Sequence, residues 1–202
     1  MGVVKAIFGG TFDPVHFGHI KVAERAKSEL DLDEVIFMPA GDPWMKKGFY
    51  VSPASDRLEM VELAISDYEG FSVSTLEIDR EGASYTVDTI REIASTMNED
   101  DQLYFLMGWD TLLKFGFWKE PEEILKLCKL IAFPRLGCEV PTKEVLDKIL
   151  PDLYEKTILL DEQFIDISAT AIRDSIKNGD SIREFVPDKV AEYIEMRGLY
   201  NF

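Results

Sequence analysis

The chain has 202 residues, of which 46% are hydrophobic and 30% charged, and its formal net charge is −16. This acidic excess excludes a nucleic-acid-binding surface, which needs clustered Lys and Arg, and no apolar run approaches the roughly 20 residues of a membrane span. The N-terminal residues lack the charged segment and apolar stretch of a secretion signal, so we expect a cytoplasmic protein.

Apolar, β-branched runs alternate with helical patterns along the chain. We predict strands at 3–8, 34–38, 71–76, 102–107, 129–133 and 157–160. Helices are predicted after Pro14 through Leu30 and at roughly 85–97, 121–128, 141–149, 168–177 and 188–197. A further helix is predicted to about Ser66, with Ser52 as its N-cap and Pro53 at its first helical position. This alternation is typical of right-handed βαβ units. The expected fold is α/β, a Rossmann-like doubly wound parallel sheet with a helical C-terminal subregion, forming one domain over residues 1–202.

Three loops of this predicted sheet follow strands at the edge where such folds bind ligands, beyond the carboxyl ends of the strands. The segment from Gly9 to His19 follows the first strand. The segment 39–43 follows the second strand, and 108–110 follows the strand at 102–107. We therefore expect the three loops to converge on one site.

Both histidines of the chain lie in one window, His16-Phe17-Gly18-His19, just after the turn at Gly9 and Gly10. If a helix begins near Val15, the two imidazoles lie on one side of its first turn. They would then join free backbone amides and the positive end of the helix dipole, an arrangement that suits phosphate. The alternative is a pair of imidazoles that only cap the helix or bond within the core. Zinc needs three or four ligands, and no third His or nearby Cys completes such a set, so we predict no metal site.

A second constellation near the C-terminus is Asp166-Ile167-Ser168-Ala169-Thr170-Ala171-Ile172-Arg173. Ser168 is a suitable N-cap, and Thr170 and Arg173 would share the face of the following turn. Hydroxyls, exposed amides and a guanidinium at a helix start can hold an anion. By itself the pattern is equally consistent with an ordinary capped helix that carries a surface arginine.

Together the two motifs resemble the nucleotidylyltransferase superfamily, in which a (T/H)xGH window follows a glycine-rich strand end and an ISxTxxR helix lies downstream. Nearly the whole chain resembles the bacterial nicotinate-nucleotide adenylyltransferases of that superfamily. The shared residues are Gly9–His16, Ser84-Tyr85-Thr86 with Thr89, Gly108 with Asp110, Phe117-Trp118, Ile167–Arg173 and the closing Gly198-Leu199-Tyr200. The resemblance implies transfer of AMP from ATP to nicotinate mononucleotide, with release of pyrophosphate.

The resemblance also implies a role for each matching residue. The catalytic group comprises His16, His19 and Arg173. ATP would be bound by Gly9, Gly10, Thr11, Phe12, Gly108, Asp110, Ile167, Ser168 and Thr170. The mononucleotide would be bound by Lys46, Thr86, Phe117, Trp118 and Lys119, with Trp118 stacked on the pyridine ring or, alternatively, packed only in the core. Mg²⁺ would be carried by the ATP phosphates.

Two departures from the family pattern concern the substrate pockets. The family usually has Pro-Pro-His-Lys after the second strand, whereas this chain has Pro43-Trp44-Met45-Lys46, so Lys46 must supply the phosphate contact. Trp109 stands where the family more often has a small residue, and its ring either narrows the ribose pocket or packs outward.

Three other functions stay open at this point. The first is a preference for nicotinamide mononucleotide, and the second is phosphopantetheine adenylyl transfer. The third is a nucleotide-binding sensor without turnover. Nothing in the sequence indicates an oligomeric state.

Overall fold

In the computed structural model, which describes residues 2–42, 50–82, 84–135, 137–160 and 167–201, six strands form one parallel sheet. Their order across the sheet is β3-β2-β1-β4-β5-β6. Their bounds are Val4–Gly10 (β1), Glu34–Pro39 (β2), Phe71–Val73 (β3), Gln102–Gly108 (β4), Lys129–Phe133 (β5) and Thr157–Leu159 (β6). The strand positions and the parallel sheet predicted from the sequence are confirmed, although β3 ends three residues earlier than expected.

The strand order reverses between the two central strands. From β1 the chain proceeds outward through β2 and β3, and it then returns to place β4 on the other side of β1, with Ile7 opposite Phe105. Ligands of doubly wound sheets bind in the crevice outside the strand ends at such a reversal. The glycine-rich end of β1 therefore opens onto this crevice.

Helices cover both faces of the sheet. Their bounds are Phe17–Glu29 (α1), Ala54–Ile65 (α2), Thr86–Ala94 (α3), Trp109–Leu112 (α4), Pro121–Leu127 (α5), Lys143–Ile149 (α6), Ala169–Asn178 (α7) and Asp188–Arg197 (α8), with a 3₁₀ turn at Phe115–Phe117. Alternate β1 side chains point to opposite faces, so Ala6 and Phe8 join a core with α1, α2, α7 and α8. Ile7 joins the opposite core with α3, α4, α5 and α6. No helix in the described part of the chain is both long and apolar enough to cross a membrane.

Two predicted helix starts differ from the structure. Helix α1 begins at Phe17 with His16 at its N-cap, rather than near Val15. Helix α2 begins at Ala54 with Pro53 at its N-cap, so the prediction of Ser52 as N-cap is wrong. The backbone of Ser52 instead donates to a carboxylate of the β1–α1 loop and accepts from an arginine of α2. Helix α4 and the 3₁₀ turn were not predicted, because segments of three or four residues are too short to show a period.

Candidate active site

A cavity of about 480 Å³ lies beyond the carboxyl ends of the central strands. Residues from the loops after β1, β2 and β4 line it, which confirms that the three predicted loops converge. The loop after β5 and the first turns of α3 and α7 also contribute side chains. Because α1 and α7 cover one face of the sheet and α3 and α4 cover the other, the cavity draws residues from both faces.

The histidine pair lies where β1 turns into α1, and both residues line the cavity. The imidazole rings are stacked, with centroids 3.7 Å apart and planes inclined by 23°. The backbone N–H of His16 donates to Nδ1 of His19 at 3.3 Å. Since Nδ1 of a neutral His19 accepts this bond, its ring proton lies on Nε2, which is then available as a donor.

Gly18 makes room for this arrangement inside the first turn of α1. A Cβ atom at Gly18 would lie 3.0 Å from Nδ1 of His16 and 3.1 Å from its Cε1. A side chain there would force the ring of His16 out of its present position. The glycine between the two histidines is therefore explained by close packing rather than by backbone conformation.

Both imidazoles are electrically neutral at physiological pH. Burial, reinforced by the positive charge of Arg135, lowers the pKa of His16 to about 3. The pKa of His19 lies well below its usual value because of burial and the proximity of His16 and Arg135. In the ligand-free protein, the pair therefore offers uncharged donors rather than cations.

Phe12 shapes the loop between β1 and the histidines. Its φ of 50° is left-handed, a conformation that costs a bulky residue about 1–2 kcal/mol. The ring is buried and packs edge-on against Phe8 and His19, with centroids 5.5 and 5.0 Å away. These aromatic contacts stabilise the turn and support the ring of His19 from the core side.

The second predicted motif reaches the same cavity through the first turn of α7. Ser168 Oγ accepts from the N–H of Ala171 at 3.2 Å, which confirms Ser168 as the N-cap. Arg173 Nη2 donates to Thr170 Oγ1 at 3.1 Å, so these two residues share a face as predicted. The side chain of Ile167 is buried in the core beside α1 and does not line the cavity. Asp166 lies outside the described residues.

Gly108, Asp110 and Arg135 form the part of the cavity after β4 and β5. Asp110 Oδ1 lies 3.7 Å from Nε of Arg135, and this buried oxygen accepts no hydrogen bond from the described residues. A Cβ at Gly108 would lie only 2.5 Å from that oxygen. Gly108 therefore leaves room for the carboxylate of Asp110 to pack against the end of β4 beside Arg135.

Trp109 turns away from the cavity. Its ring is buried in the core, and Nε1 donates to the carbonyl of Ala132 at 3.2 Å. The ring therefore packs away from the cavity, the second of the two orientations considered from the sequence, and does not narrow the cavity beside Asp110.

Trp118 lines the cavity from the opposite face of the sheet. Its ring packs edge-on against Phe105, with centroids 5.7 Å apart, and is tilted by 47° against Phe115 at 5.5 Å, so core packing supports one part of the ring. Its buried Nε1 has no hydrogen-bond partner among the described residues. Thr86, in the first turn of α3, lines the cavity as well.

Phe117 and Lys119 flank Trp118 in different ways. The Phe117 side chain is 84% exposed and lies outside the cavity lining. The amides of Phe117 and Trp118 already donate to the carbonyls of Lys114 and Phe115. Lys119 lines the cavity, and its ammonium bonds Asp88 Oδ2 at 3.0 Å.

Positive side chains gather at the cavity although the chain is acidic overall. Among the residues that the structure describes, those lining the cavity are Lys114, Lys119, Arg135 and Arg173. Lys114 and Arg135 were not predicted from the sequence, although each is a basic residue a few positions after the end of a strand. Met45 and Lys46 lie outside the described residues. Across the described ranges, no three His, Cys, Asp or Glu side chains are grouped to hold a metal ion.

The fold and the site together define a class of protein. Residues 7–175 match the cytidylyltransferase-like family. The chain is 45% identical over 194 residues to a probable nicotinate-nucleotide adenylyltransferase of Dehalococcoides mccartyi, covering 96% of this chain and 95% of the relative. It is 40% identical over 198 residues to a Clostridium botulinum protein of the same name, covering 96% of both chains. The chain belongs to the nicotinate-nucleotide adenylyltransferases within the cytidylyltransferase-like family.

A solved structure shares the fold over nearly the whole chain. Nicotinic acid mononucleotide adenylyltransferase of Plasmodium falciparum, complexed with NaAD, superimposes with a TM-score of 0.82. The alignment covers 99% of this chain and 98% of that one, at 19% identity. At this low identity the likeness bears on the fold, and it confirms the Rossmann-like architecture.

Proposed function

We propose that the chain transfers the adenylyl group of ATP to nicotinate mononucleotide, giving nicotinate adenine dinucleotide and pyrophosphate in the biosynthesis of NAD. One observation carries this proposal. A single cavity joins a phosphate-binding group on one face of the sheet, His16, His19 and Arg173, to an aromatic wall at Trp118 on the other. A dinucleotide product would span these two regions.

The proposed reaction is a direct in-line displacement. A phosphate oxygen of the mononucleotide forms a bond to the α-phosphorus of ATP, while the bond from that phosphorus to the bridging oxygen breaks and pyrophosphate leaves. The attacking phosphate is already ionised at neutral pH, so no general base and no covalent enzyme intermediate is needed. Catalysis then depends on positioning and on stabilising negative charge.

The neutral histidines would act as hydrogen-bond donors to the α- and β-phosphates, with Nε2 of His19 as the assigned donor. Arg173 would hold the outer phosphates, and Lys46 would contribute a further cation. Mg²⁺ bound to the triphosphate would neutralise charge on the leaving pyrophosphate.

The rest of ATP would lie along the β1 and β4 loops. The backbone of Gly9, Gly10, Thr11 and Phe12 would approach the nucleotide, and Asp110 beside Gly108 would accept from the ribose. Asp110 lines the cavity with about half of its side chain exposed, which supports this assignment because a carboxylate can accept from ribose hydroxyls. Ser168 and Thr170 would contact adenine and phosphates, with Ile167 supporting them from the core.

The mononucleotide would place its pyridine ring on Trp118. Its carboxylate would meet Thr86, at the amino end of α3, and the backbone around Phe117, Trp118 and Lys119. The amides of Phe117 and Trp118 already donate to carbonyls of their own turn. Thr86 and Lys119 are therefore the stronger candidates for binding the carboxylate. The ammonium of Lys119 can only donate and so favours a carboxylate, whereas the hydroxyl of Thr86 can donate or accept and would not by itself distinguish a carboxylate from a carboxamide.

Initial rates test this function against the alternatives. Pyrophosphate release is measured with ATP, Mg²⁺ and, in turn, nicotinate mononucleotide, nicotinamide mononucleotide and phosphopantetheine. We expect the highest kcat/KM with nicotinate mononucleotide. A higher value with either other acceptor would overturn the substrate assignment. ATP binding without pyrophosphate release from any acceptor would favour a sensor.

A further inference from the structure

The last residues of the chain are bonded to the loop that carries the histidines. The hydroxyl of Tyr200 donates to Asp13 Oδ1 at 2.6 Å, across 187 positions of sequence. Tyr200 is 1% exposed, and its φ of 67° is left-handed, which is uncommon for a bulky residue. It follows α8 closely, after Gly198 ends that helix. A bulky residue in this backbone conformation persists only when its surroundings hold it.

Asp13 links this tyrosine to the site. Its side chain is buried, and its second oxygen accepts from the N–H of Ser52 at 3.2 Å. Its backbone carbonyl accepts from Nη1 of Arg173 at 2.7 Å. Asp13 therefore accepts from Arg173 through its backbone carbonyl and from Tyr200 through its side chain.

The hydrogen bond from Tyr200 to Asp13 is strong and does not change with pH in the physiological range. Burial and the neighbouring carboxylate raise the pKa of the Tyr200 phenol, so the hydroxyl stays protonated and donates at all physiological pH values. A hydroxyl that donates to a carboxylate at this distance forms one of the stronger hydrogen bonds in proteins. Tyr200 itself does not line the cavity, so it cannot act on substrate directly.

We infer that Tyr200 is a positioning residue for ATP: through Asp13 it holds the guanidinium of Arg173 in the orientation that binds the triphosphate. This inference rests on the proposed function, because it assigns Arg173 to ATP. The tail of the chain would thereby set the ATP end of the site, while the mononucleotide end at Trp118 would be independent of it.

The chain offers a matched control on the same C-terminal segment. The hydroxyl of Tyr193, in α8, donates to Asp56 Oδ1 at 2.8 Å, and Asp56 is also buried. Both Tyr200→Phe and Tyr193→Phe delete one hydroxyl that serves a buried carboxylate. Asp56 does not line the cavity, whereas Asp13 does. A purely structural role for Tyr200 would make the two variants alike.

The experiment compares KM for ATP, KM for nicotinate mononucleotide and calorimetric ATP affinity in both variants. We expect Tyr200→Phe to raise KM and Kd for ATP about tenfold or more, since small displacements at a site are costly, with KM for the mononucleotide unchanged. Tyr193→Phe should leave both KM values within about twofold. Equal ATP effects in the two variants would overturn the inference.

A double-mutant cycle tests the route through Arg173. In an Arg173→Met background, Tyr200→Phe should change ATP affinity by no more than about twofold, because the group it positions is gone. An undiminished effect would contradict the inference. If Tyr200→Phe does not fold, Asp13→Asn carries the same comparison. Wild-type protein that binds ATP without turnover would refute the proposed function, while the calorimetric cycle would still decide the role of Tyr200.

Discussion

His16 and His19 stack with ring centroids 3.7 Å apart, and Nδ1 of His19 accepts the backbone N–H of His16. Two imidazolium ions could not occupy these positions without strong repulsion, and burial already disfavours charge on either ring. The pair therefore presents neutral donors to a bound phosphate. A negatively charged ligand would raise the pKa of both groups.

Histidine NMR tests this protonation state, because the chain contains only two histidines. We expect neither ring of the ligand-free protein to titrate between pH 5 and pH 8, and the ¹⁵N shifts of His19 should report a proton on Nε2. In Arg135→Met the pKa of His16 should rise, since a nearby positive charge is lost. Titration of either wild-type ring near its ordinary pKa of about 6.5 would contradict the buried neutral pair.

Protein stability should depend on pH through the same two groups. The folded protein keeps the histidines neutral, while the unfolded chain protonates them below about pH 6.5, so the unfolded state binds more protons there. Stability contributed by the pair is complete above that pH and falls as the pH drops toward 4. Each histidine adds up to about 1.4 kcal/mol per pH unit to the slope. Urea unfolding at pH 6, 5 and 4 should give a shallower slope for His19→Gln, and an identical slope would disprove the prediction.

Replacing His19 should lower turnover far more than binding. We expect His19→Ala to lose kcat on the order of 10²–10³-fold with a small change in KM, as for donors that act in the transition state. His19→Gln keeps an uncharged N–H donor and should retain more activity than the alanine variant. Steady-state kinetics measure both. If His19→Ala retained most of the wild-type kcat, the role assigned to His19 would be wrong.

Trp118 should matter to one substrate only. Trp118→Ala deletes a stacking surface worth roughly 1–3 kcal/mol and should weaken binding of nicotinate mononucleotide correspondingly. ATP affinity should stay nearly unchanged, and Trp118→Phe should keep most of the mononucleotide affinity. Isothermal titration calorimetry with each ligand checks this. Equal losses for both ligands would indicate that Trp118 serves only the core it shares with Phe105 and Phe115.

Arg57 is enclosed beneath the site, and its buried hydrogen bonds should be important for the stability of the folded protein. It is 1% exposed and donates to the carbonyls of Ser52, Thr11 and Gly41. Arg57→Met would leave three carbonyls without this donor and should cost roughly 3 kcal/mol or more in the free energy of unfolding. Arg183→Met provides the control.

In the control variant, an arginine half exposed to solvent loses its ion pair with Asp188. That loss should cost less than about 1 kcal/mol. Urea denaturation measures both variants at one pH. Similar losses of unfolding free energy in the two variants would show that the buried hydrogen bonds of Arg57 contribute no more to stability than an exposed ion pair.

Local sequence patterns were sufficient to predict the sheet and the edge that binds ligand. Apolar runs marked the strands, and glycines and a histidine pair marked the end of β1, because period and turn chemistry are local properties. Ser168 was recognised as an N-cap for the same reason. Helix α4 and the 3₁₀ turn were missed because they are too short to show a period. The start of α2 was also missed, because tertiary bonds at Ser52 override its local preference for capping.

The sequence by itself determined the order of elements, the loops that meet at the site and the residue types that suit a phosphate ligand. Only the tertiary structure decided that the histidines are neutral, that Trp109 faces the core, and that Arg135 lies close enough to lower the pKa of His16. It also brought Tyr200 to Asp13. Burial and Coulomb interactions depend on distances through space, and residues far apart in the chain acquire those distances only when the sheet and its helices pack together.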